Sequence, residues 1–149
     1  MFGGAGFVQH FGATNQLVNN IFALSSGAPL EVTEAEDHLS FTFEHNLIVS
    51  TNAAFFSGPW DELNYVGRSN CYTFVGKAKP LFPTGELAAW QKLGREKGSV
   101  LADVQFVGNW PDVTLPPRSA AEQVGFQPFD PKLAGVYGNA AWVRLAGTQ

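Results

Sequence analysis

The sequence has one cysteine, few charged residues and no long apolar run. Because Cys71 is the only cysteine among 149 residues, no disulfide can form within the chain, and its strand-like surroundings predict a small buried hydrophobe. Charged residues make up only 15% of the chain, a low share for a globular protein. No apolar stretch reaches the length that a membrane-spanning helix needs. We therefore expect neither a disulfide scaffold nor a membrane protein.

Basic residues are also scarce, and the known signatures of cofactor binding are missing. The formal net charge is −4 and no stripe of Lys and Arg is present, so nucleic acid is not expected as a partner. The three histidines are scattered without metal-ligand spacing, and no phosphate loop or Gly-x-Ser-x-Gly elbow occurs. We predict no cofactor and no metal site. Residues 1–6 lack the features of a signal peptide, so the localisation stays open.

The tight-turn pairs Asn-Gly and Asp-Gly do not occur, which disfavours antiparallel hairpins. Instead Asn20, Asn46 and Asn70 recur at steps of 26 and 24 residues, and a short run of strand-forming residues follows each. A near-constant step with strands and no helix predicts a solenoid. Asparagine tolerates left-handed corners, and stacked amides can hydrogen-bond to each other. We therefore interpret this repeat as structural and not catalytic.

We predict one domain over residues 1–149, with coils over about 1–110 and a capping tail over about 111–149. One short helix is expected at about 85–94, with Thr84 as N-cap, Gly94 at the left-handed C′ position, and Leu87 and Trp90 on its packed face. The tail is rich in proline, so it cannot form central strands. It is expected to wrap against the coil and to bury its aromatic residues Phe126, Phe129, Tyr137 and Trp142.

Residues 1–13 are apolar and rich in glycine, as the interior of a protein is. We expect that upstream sequence is missing or that something else covers this end. An uncovered first coil would present open strand edges, which favour pairing with another chain. The sequence therefore predicts self-association through this end, as dimers or oligomers.

Short motifs occur through the sequence in this order: His10-Phe11-Gly12, Asn19-Asn20-Ile21, Glu36-Asp37-His38-Leu39-Ser40-Phe41, Trp90-Gln91 with Gly94, Ala102-Asp103 with Phe106-Val107, Gly125-Phe126 with Pro128-Phe129-Asp130, and Ala134-Gly135-Val136-Tyr137-Gly138 with Trp142-Val143. These motifs and their order resemble the C-terminal part of bacterial right-handed parallel β-helix proteins of the pectate-lyase-like superfamily. The resemblance covers nearly all of the chain from His10 onward. Two words depart from it: Ala102-Asp103-Val104 stands where relatives have Ala-Asp-Pro, and Ser119-Ala120-Ala121 where they have Ser-Pro-Ala. Relatives also carry more N-terminal coils.

The resemblance implies an all-β right-handed parallel β-helix with a short flanking helix and a wrapped tail. Many such proteins are secreted or periplasmic and act on carbohydrates, so a polysaccharide or oligosaccharide is the implied partner. The implied function is carbohydrate-directed, with glycoside hydrolysis as the first possibility. The alternatives are a polysaccharide lyase and a non-catalytic glycan-binding or structural segment.

Glycoside hydrolysis needs two carboxylates about 5–10 Å apart. The best candidates are Glu36, Asp37 and Asp61, because each lies in a polar loop near an aromatic residue or a histidine. A second group completes the predicted site as substrate-binding residues: His10, His38 and Trp60, whose indole could offer a face for a sugar. A structural use of the same loops, with solvated acids and corner histidines, is the competing interpretation. For a lyase the acids lie in one loop and not on successive coils, which disfavours a Ca²⁺ cluster.

Overall fold

Ten short strands and three short helices form the part of the chain that the computed structural model describes, residues 5–108, 114–130 and 140–146. The helices are α1 (Leu87–Lys92), α2 (Ala120–Gln123) and α3 (Ala140–Ala146). The strands are β1 (Phe7–Gln9), β2 (Asn15–Val18), β3 (Ile21–Phe22), β4 (Leu30–Val32), β5 (Phe41–Glu44), β6 (Leu47–Ser50), β7 (Phe56–Ser57), β8 (Tyr65–Arg68), β9 (Cys71–Phe74) and β10 (Val100–Leu101).

All pairs between these strands are parallel, and they build three sheets. Sheet A has the order β1-β4-β7, sheet B the order β2-β5-β8, and sheet C the order β3-β6-β9-β10. The chain therefore passes through A, B and C in turn, three times, before β10 adds a last strand to sheet C. We call each passage a coil. The predicted all-β chain with parallel strands is confirmed at this level.

The predicted asparagine repeat marks the corner between sheets B and C. Leu47 pairs with Ile21 and with Cys71 in register, so the asparagine before each of them occupies the same place in its coil. Asn20 Nδ2 donates to Asn46 Oδ1 at 3.0 Å, and Asn46 Nδ2 donates to Asn70 Oδ1 at 3.1 Å. We call this row the asparagine ladder. The predicted stacking of amides is confirmed.

The left-handed residue at each corner is the one before the ladder asparagine, which corrects the expectation. Asn19, His45 and Ser69 have φ values of 59°, 54° and 53°, and Gly98 takes the same role before Ser99 with a φ of 73°. The backbone reverses at these positions, so the ladder residue that follows can turn its amide into the stack. The ladder residues themselves are not among the residues with positive φ.

Successive side chains of a strand point to opposite faces, so each sheet has an inner face toward the core and an outer face away from it. The inner faces form a core of large apolar side chains, many of them aromatic, and Phe41, Phe43 and Ile48 in it are completely buried. The outer face of sheet C carries Leu47 and Cys71. Cys71 is a buried free thiol, as predicted, and burial raises its pKa to about 11.

The tail covers this outer face of sheet C, where Ala121 of α2 and Phe126, which follows α2, pack against the strands. His45 Nδ1 lies 2.7 Å from the carbonyl oxygen of Val124, and the side chain of Asn19 bonds the backbone of Gln127 with both amide atoms. The prediction of a tail lying against the coil is confirmed for this segment. Asn19 and His45, which are left-handed corner residues, therefore hold this segment of the tail against sheet C.

Some finer expectations about the helices and the tail are wrong. One short helix was expected, whereas the described residues form three. Glu86, and not Thr84, is the N-cap of α1, and it makes no capping bond with its side chain. Phe129 and Trp142 are 52% and 66% exposed, so the prediction that they are buried is wrong, because they lie beyond the segment that docks on sheet C. Tyr137 lies outside the described residues.

Other features of α1 follow the prediction. Trp90 is buried, Leu87 packs against the core, and Gly94 has a φ of 81°. Within the described residues, no helix is long and apolar enough to cross a membrane.

Candidate functional site

Three loops that join sheet A to sheet B stack along one edge of the coils. We call residues 10–14, 33–40 and 58–64 the A–B loops. All six predicted site residues lie on them, although these residues are far apart in the sequence. The parallel register brings the loops together because each connects strands that pair with those of the next coil.

Backbone hydrogen bonds join the A–B loops to one another. The Thr14 amide donates to the Leu39 carbonyl at 2.7 Å, and the Ser40 amide donates to the Asn64 carbonyl at 2.9 Å. Asn64 Nδ2 also donates to the backbone carbonyl of Asp37 at 3.2 Å. The loops therefore form a continuous edge.

His10 contacts the second coil through its ring. His10 Nδ1 lies 2.6 Å from Thr33 Oγ1, and the Thr33 hydroxyl donates to the carbonyl oxygen of Gln9 at 3.2 Å. The ring of Phe11 lies 4.1 Å from that of His10, measured between centroids, and both residues are exposed. Together they present an aromatic and polar surface at the edge of the first coil.

Glu36 and His38 form a pair on the second loop. His38 Nε2 lies 3.4 Å from Glu36 Oε2 and 3.2 Å from the carbonyl oxygen of Gly12. The buried Glu36 Oε2 makes no hydrogen bond of good geometry in the described structure, so the contact with His38 is an ion pair only when the ring is protonated. The two predicted site residues thus contact each other directly.

Asp37 and Asp61 are both exposed, and they occupy different loops. Asp61 lines an open cleft of about 360 Å³ between the third A–B loop and the segment that follows β9. The other described residues of its lining are largely apolar and come from both sides of the cleft: Ala54, Phe56, Gly58, Leu81, Phe82 and Pro83. Asp61 is the one acid among them, and Glu36 and Asp37 are not part of the lining.

The indole of Trp60 does not offer a face to a ligand, which corrects the prediction of a sugar-stacking residue. Trp60 is 1% exposed and packs against Phe41, Phe56 and Tyr65, with centroid distances of 4.8 to 5.9 Å. Its Nε1 donates to the carbonyl oxygen of Ser57 at 2.9 Å. The ring enters the core because it follows the tight bend at Gly58, where an added Cβ would lie 1.7 Å from the carbonyl oxygen of Val32.

A buried acid that the sequence analysis did not single out closes the asparagine ladder. Glu96 is completely buried, accepts from Asn70 Nδ2 at 2.9 Å and accepts from Ser99 Oγ at 2.7 Å. Burial raises the pKa of its carboxyl above the ordinary value of 4.5, although these hydrogen bonds favour the charged form. The repeat gave no signal for it, because the residue in register with Asn70 is Ser99, 29 residues further along the chain.

Two tyrosines share the surroundings of Glu96. The hydroxyl of Tyr65 lies 3.4 Å from Glu96 Oε1 and accepts from Trp90 Nε1 at 3.2 Å. Burial, followed by the nearby carboxylate, raises the pKa of both Tyr65 and Tyr72. The Arg95 guanidinium lies over the ring of Tyr65, 5.0 Å from its centroid. This cluster is sealed in the core, so it supports the fold and does not reach a substrate.

Among the described residues, no group of three or more His, Cys, Asp or Glu side chains is arranged to hold a metal ion. Comparison with protein-family models, with curated proteins and with solved structures finds no match to this chain.

Proposed function

We propose that this chain is a right-handed parallel β-helix that binds a polysaccharide or oligosaccharide along the edge formed by the A–B loops. The handedness follows the strong preference for right-handed crossovers between parallel strands of one sheet. The observation that carries the function is the stacking of the three A–B loops beside the Asp61 cleft. A polymer of repeated sugar units fits a surface that itself repeats at the spacing of the coils, about 4.8 Å.

The lining of the cleft suits a sugar. Pyranose rings have apolar faces that pack on aromatic side chains and hydroxyl groups that bond to carboxylates. The partly buried ring of Phe56 and the exposed Leu81 supply apolar surface, and the exposed Asp61 carboxylate supplies acceptors. The volume of about 360 Å³ lies at the lower end of the range of small-molecule sites. We infer that one or two sugar units occupy it while the rest of the polymer follows the loops.

Binding without hydrolysis is the form of this proposal that the geometry favours. A glycoside hydrolase needs a second carboxylate across the scissile bond from the first. Asp61 is the one acid among the described residues of the cleft, while Glu36 faces His38 on another loop. Hydrolysis is the second candidate, because Asp37 is exposed on the loop next to that of Asp61, and its backbone carbonyl accepts from Asn64 on the third loop.

Calorimetric titration with a panel of neutral and acidic oligosaccharides tests the proposal. We expect at least one to bind with a Kd in the micromolar to millimolar range, and Asp61→Ala to weaken that binding by about tenfold, the effect of one lost charge-assisted hydrogen bond. Glu62→Gln is the matched control, because Glu62 is the adjacent exposed acid and does not line the cleft. Equal affinity in all three proteins would place the sugar elsewhere, and no binding across the panel would refute the function.

The same panel separates binding from catalysis. New reducing ends indicate hydrolysis, and the ultraviolet absorbance of an unsaturated sugar indicates a lyase. We expect neither. Reducing ends that form in the native protein and disappear in both Asp61→Asn and Asp37→Asn would instead establish the hydrolase with those two residues as its carboxylates.

A further inference from the structure

The Asp61 cleft holds one charged side chain, and its charge is negative. The other described residues of the lining are uncharged, so the Asp61 carboxylate is the one ionised group that a ligand meets there. Among the described residues, no Lys, Arg or His forms an ion pair with Asp61. Apolar walls lower the local dielectric, so this carboxylate attracts a cation and repels an anion more strongly than it would in open water.

The loops beside the cleft have charges of the same sign. The A–B loops contain no Lys or Arg, and their acids are Glu34, Glu36, Asp37, Asp61 and Glu62. All of these acids except Glu36 are exposed, and Glu36 lies beside His38. Because the coils stack at about 4.8 Å, a polymer that leaves the cleft along the loops passes further carboxylates.

Basic side chains of the neighbouring segments have other partners or lie outside the cleft. Arg68 Nε lies 2.9 Å from a carboxylate oxygen on β5, and Lys79 pairs with the N-cap residue of α1. Arg95 donates to the carbonyl oxygen of Tyr65 at 3.2 Å and lies over its ring. Lys77 is exposed. None of these cations lines the cleft, so none can receive an acidic sugar there.

We propose that the Asp61 cleft and the A–B loops select a basic sugar polymer, whose units carry a protonated amine as glucosamine does, over neutral and acidic polymers. This inference rests on the proposed function, because it names the class of sugar for the same site. The ammonium group of one unit pairs with Asp61, and the next units pass the exposed Asp37 on the neighbouring loop. A uronic acid in this place would meet carboxylates without a cation, which disfavours it.

The walls of the cleft favour an amino sugar over a basic peptide. The partly buried ring of Phe56 and the exposed Leu81 line the cleft together with Asp61. A glucosamine unit carries its amine directly on a rigid ring with apolar faces, so one unit can contact both the walls and the carboxylate. A lysine side chain reaches the carboxylate on a flexible stem, whose ordering costs more conformational entropy.

Three β-1,4-linked hexasaccharides, those of glucose, glucosamine and glucuronic acid, test the selectivity. Calorimetric titration at low ionic strength and about pH 6 keeps carboxylates ionised. We expect the glucosamine hexamer to bind at least about fivefold more tightly than the glucose hexamer, and the glucuronic acid hexamer to bind most weakly. Equal affinity for the glucosamine and glucose hexamers, or tighter binding of the glucuronic acid hexamer, would overturn the inference.

Failure of this inference is distinguishable from failure of the proposed function. Binding of the glucose hexamer that depends on Asp61, without a preference for glucosamine, would overturn the inference and leave the function standing. The inference also fails if none of the three hexamers binds while another oligosaccharide does. No binding of any oligosaccharide would remove both.

Asp61→Asn assigns the preference to the cleft, because it keeps the shape of the side chain and removes the charge. We expect the affinity ratio between the glucosamine and glucose hexamers to fall below about twofold in this variant. Glu62→Gln removes an equal charge from the same loop outside the cleft and should keep the native ratio. A ratio that is unchanged in Asp61→Asn would overturn the assignment.

Two further measurements use the native chain alone. Raising the salt concentration from about 0.01 M to about 0.15 M shortens the screening length from about 30 Å to about 8 Å and should lower the same ratio at least about twofold. A ratio that does not depend on salt would contradict an origin in charge. Hexalysine should bind more weakly than the glucosamine hexamer, and equal or tighter binding of hexalysine would assign the cleft to a basic peptide instead.

Discussion

Asn70 donates a 2.9 Å hydrogen bond from Nδ2 to Glu96 Oε2, so a buried carboxyl takes the place that an amide oxygen has in the preceding coils. The Asn70 backbone N–H bonds to Ser99 Oγ, which replaces the other bond of the missing asparagine. The ladder thus ends on an acidic group. A carboxyl accepts more bonds than an amide oxygen does, and Asn70, Ser99 and Tyr65 all direct donors at it.

The first prediction concerns the pH dependence of folding. Because burial raises the pKa of Glu96 in the folded state above 4.5, the protonated carboxyl stabilises the fold. This contribution is fully present below the unfolded pKa and is lost as the pH rises through the folded pKa, at about 1.4 kcal/mol for each pH unit between the two values. Relative to Glu96→Gln, the native chain should lose stability as the pH rises. Urea denaturation between about pH 4 and about pH 9 measures the difference.

The matched control is Glu62→Gln, an exposed acid of the third A–B loop. The free energy of unfolding of this variant should depend on pH in the same way as that of the native chain, from about pH 4 to about pH 9. A difference between the native chain and Glu96→Gln that does not change with pH would mean that folding does not shift the pKa of Glu96, which would contradict the prediction.

The second prediction compares two members of the ladder. Asn46 is buried and makes hydrogen bonds to Asn20, to Asn70 and to the carbonyl oxygen of Leu17, whereas Asn20, in the first coil, is only partly buried. Asn46→Ala should lower the free energy of unfolding by about 2–4 kcal/mol, since it leaves buried partners unsatisfied. Asn20→Ala should cost about 0.5–1.5 kcal/mol. Urea denaturation at one pH measures both, and equal costs would contradict the idea that burial sets the strength of the ladder.

The asparagine ladder could be predicted because a repeated residue at a repeated step is a property of the sequence itself. The closing role of Glu96 could not, because it depends on Tyr65 and Asn70 of the preceding coil, which only the folded register brings to it. Trp60 was misassigned for a similar reason. A tryptophan beside an aspartate in a loop looks like a sugar site, but the bend at Gly58 turns its ring into the core.

The proline-rich composition of the tail hides the sequence signal of a short helix. Its prolines indicated a loop, yet Ser119 and Glu122 are spaced as in a helix N-terminus, and Ser119 Oγ accepts from the Glu122 amide at 3.3 Å. Parallel pairing of the strands places the predicted site residues on neighbouring loops, and the sequence repeat predicts this pairing. The paths of the loops decide which of these residues share a cleft, and the repeat does not determine those paths.

The third prediction concerns the left-handed corners. Ser69 has a φ of 53°, and Gly98 occupies the equivalent position of the following coil. Ser69→Val should lower the free energy of unfolding by about 1–2 kcal/mol, because a β-branched residue is strained in this conformation, while Ser69→Gly should be close to neutral. Thr42→Val, on the outer face of β5, is the control for adding a valine to a partly exposed position. Equal losses of stability in Ser69→Val and Thr42→Val would show that the left-handed backbone at Ser69 does not cause the loss. Thermal and urea denaturation measure all three.

The fourth prediction tests how tightly the core closes around Glu96. A Cβ added at Gly67 would lie 2.1 Å from Glu96 Oε1 and 2.8 Å from Tyr65 Cε2. Gly67→Ala should therefore lower the free energy of unfolding by about 2–4 kcal/mol, because the hydrogen-bonded carboxyl cannot move aside without losing its partners. The matched control is Gly27→Ala, whose added Cβ meets nothing within 4 Å, and it should leave stability unchanged or raise it slightly.

A double-mutant cycle identifies the clash. If Glu96 is the group that the added methyl displaces, Gly67→Ala should cost less by at least about 1 kcal/mol in a Glu96→Ala background than in the native chain. The cost should stay the same if the clash with Tyr65 dominates. Urea denaturation of the four proteins at one pH gives the coupling free energy, and a coupling near zero would assign the clash to Tyr65 and not to Glu96.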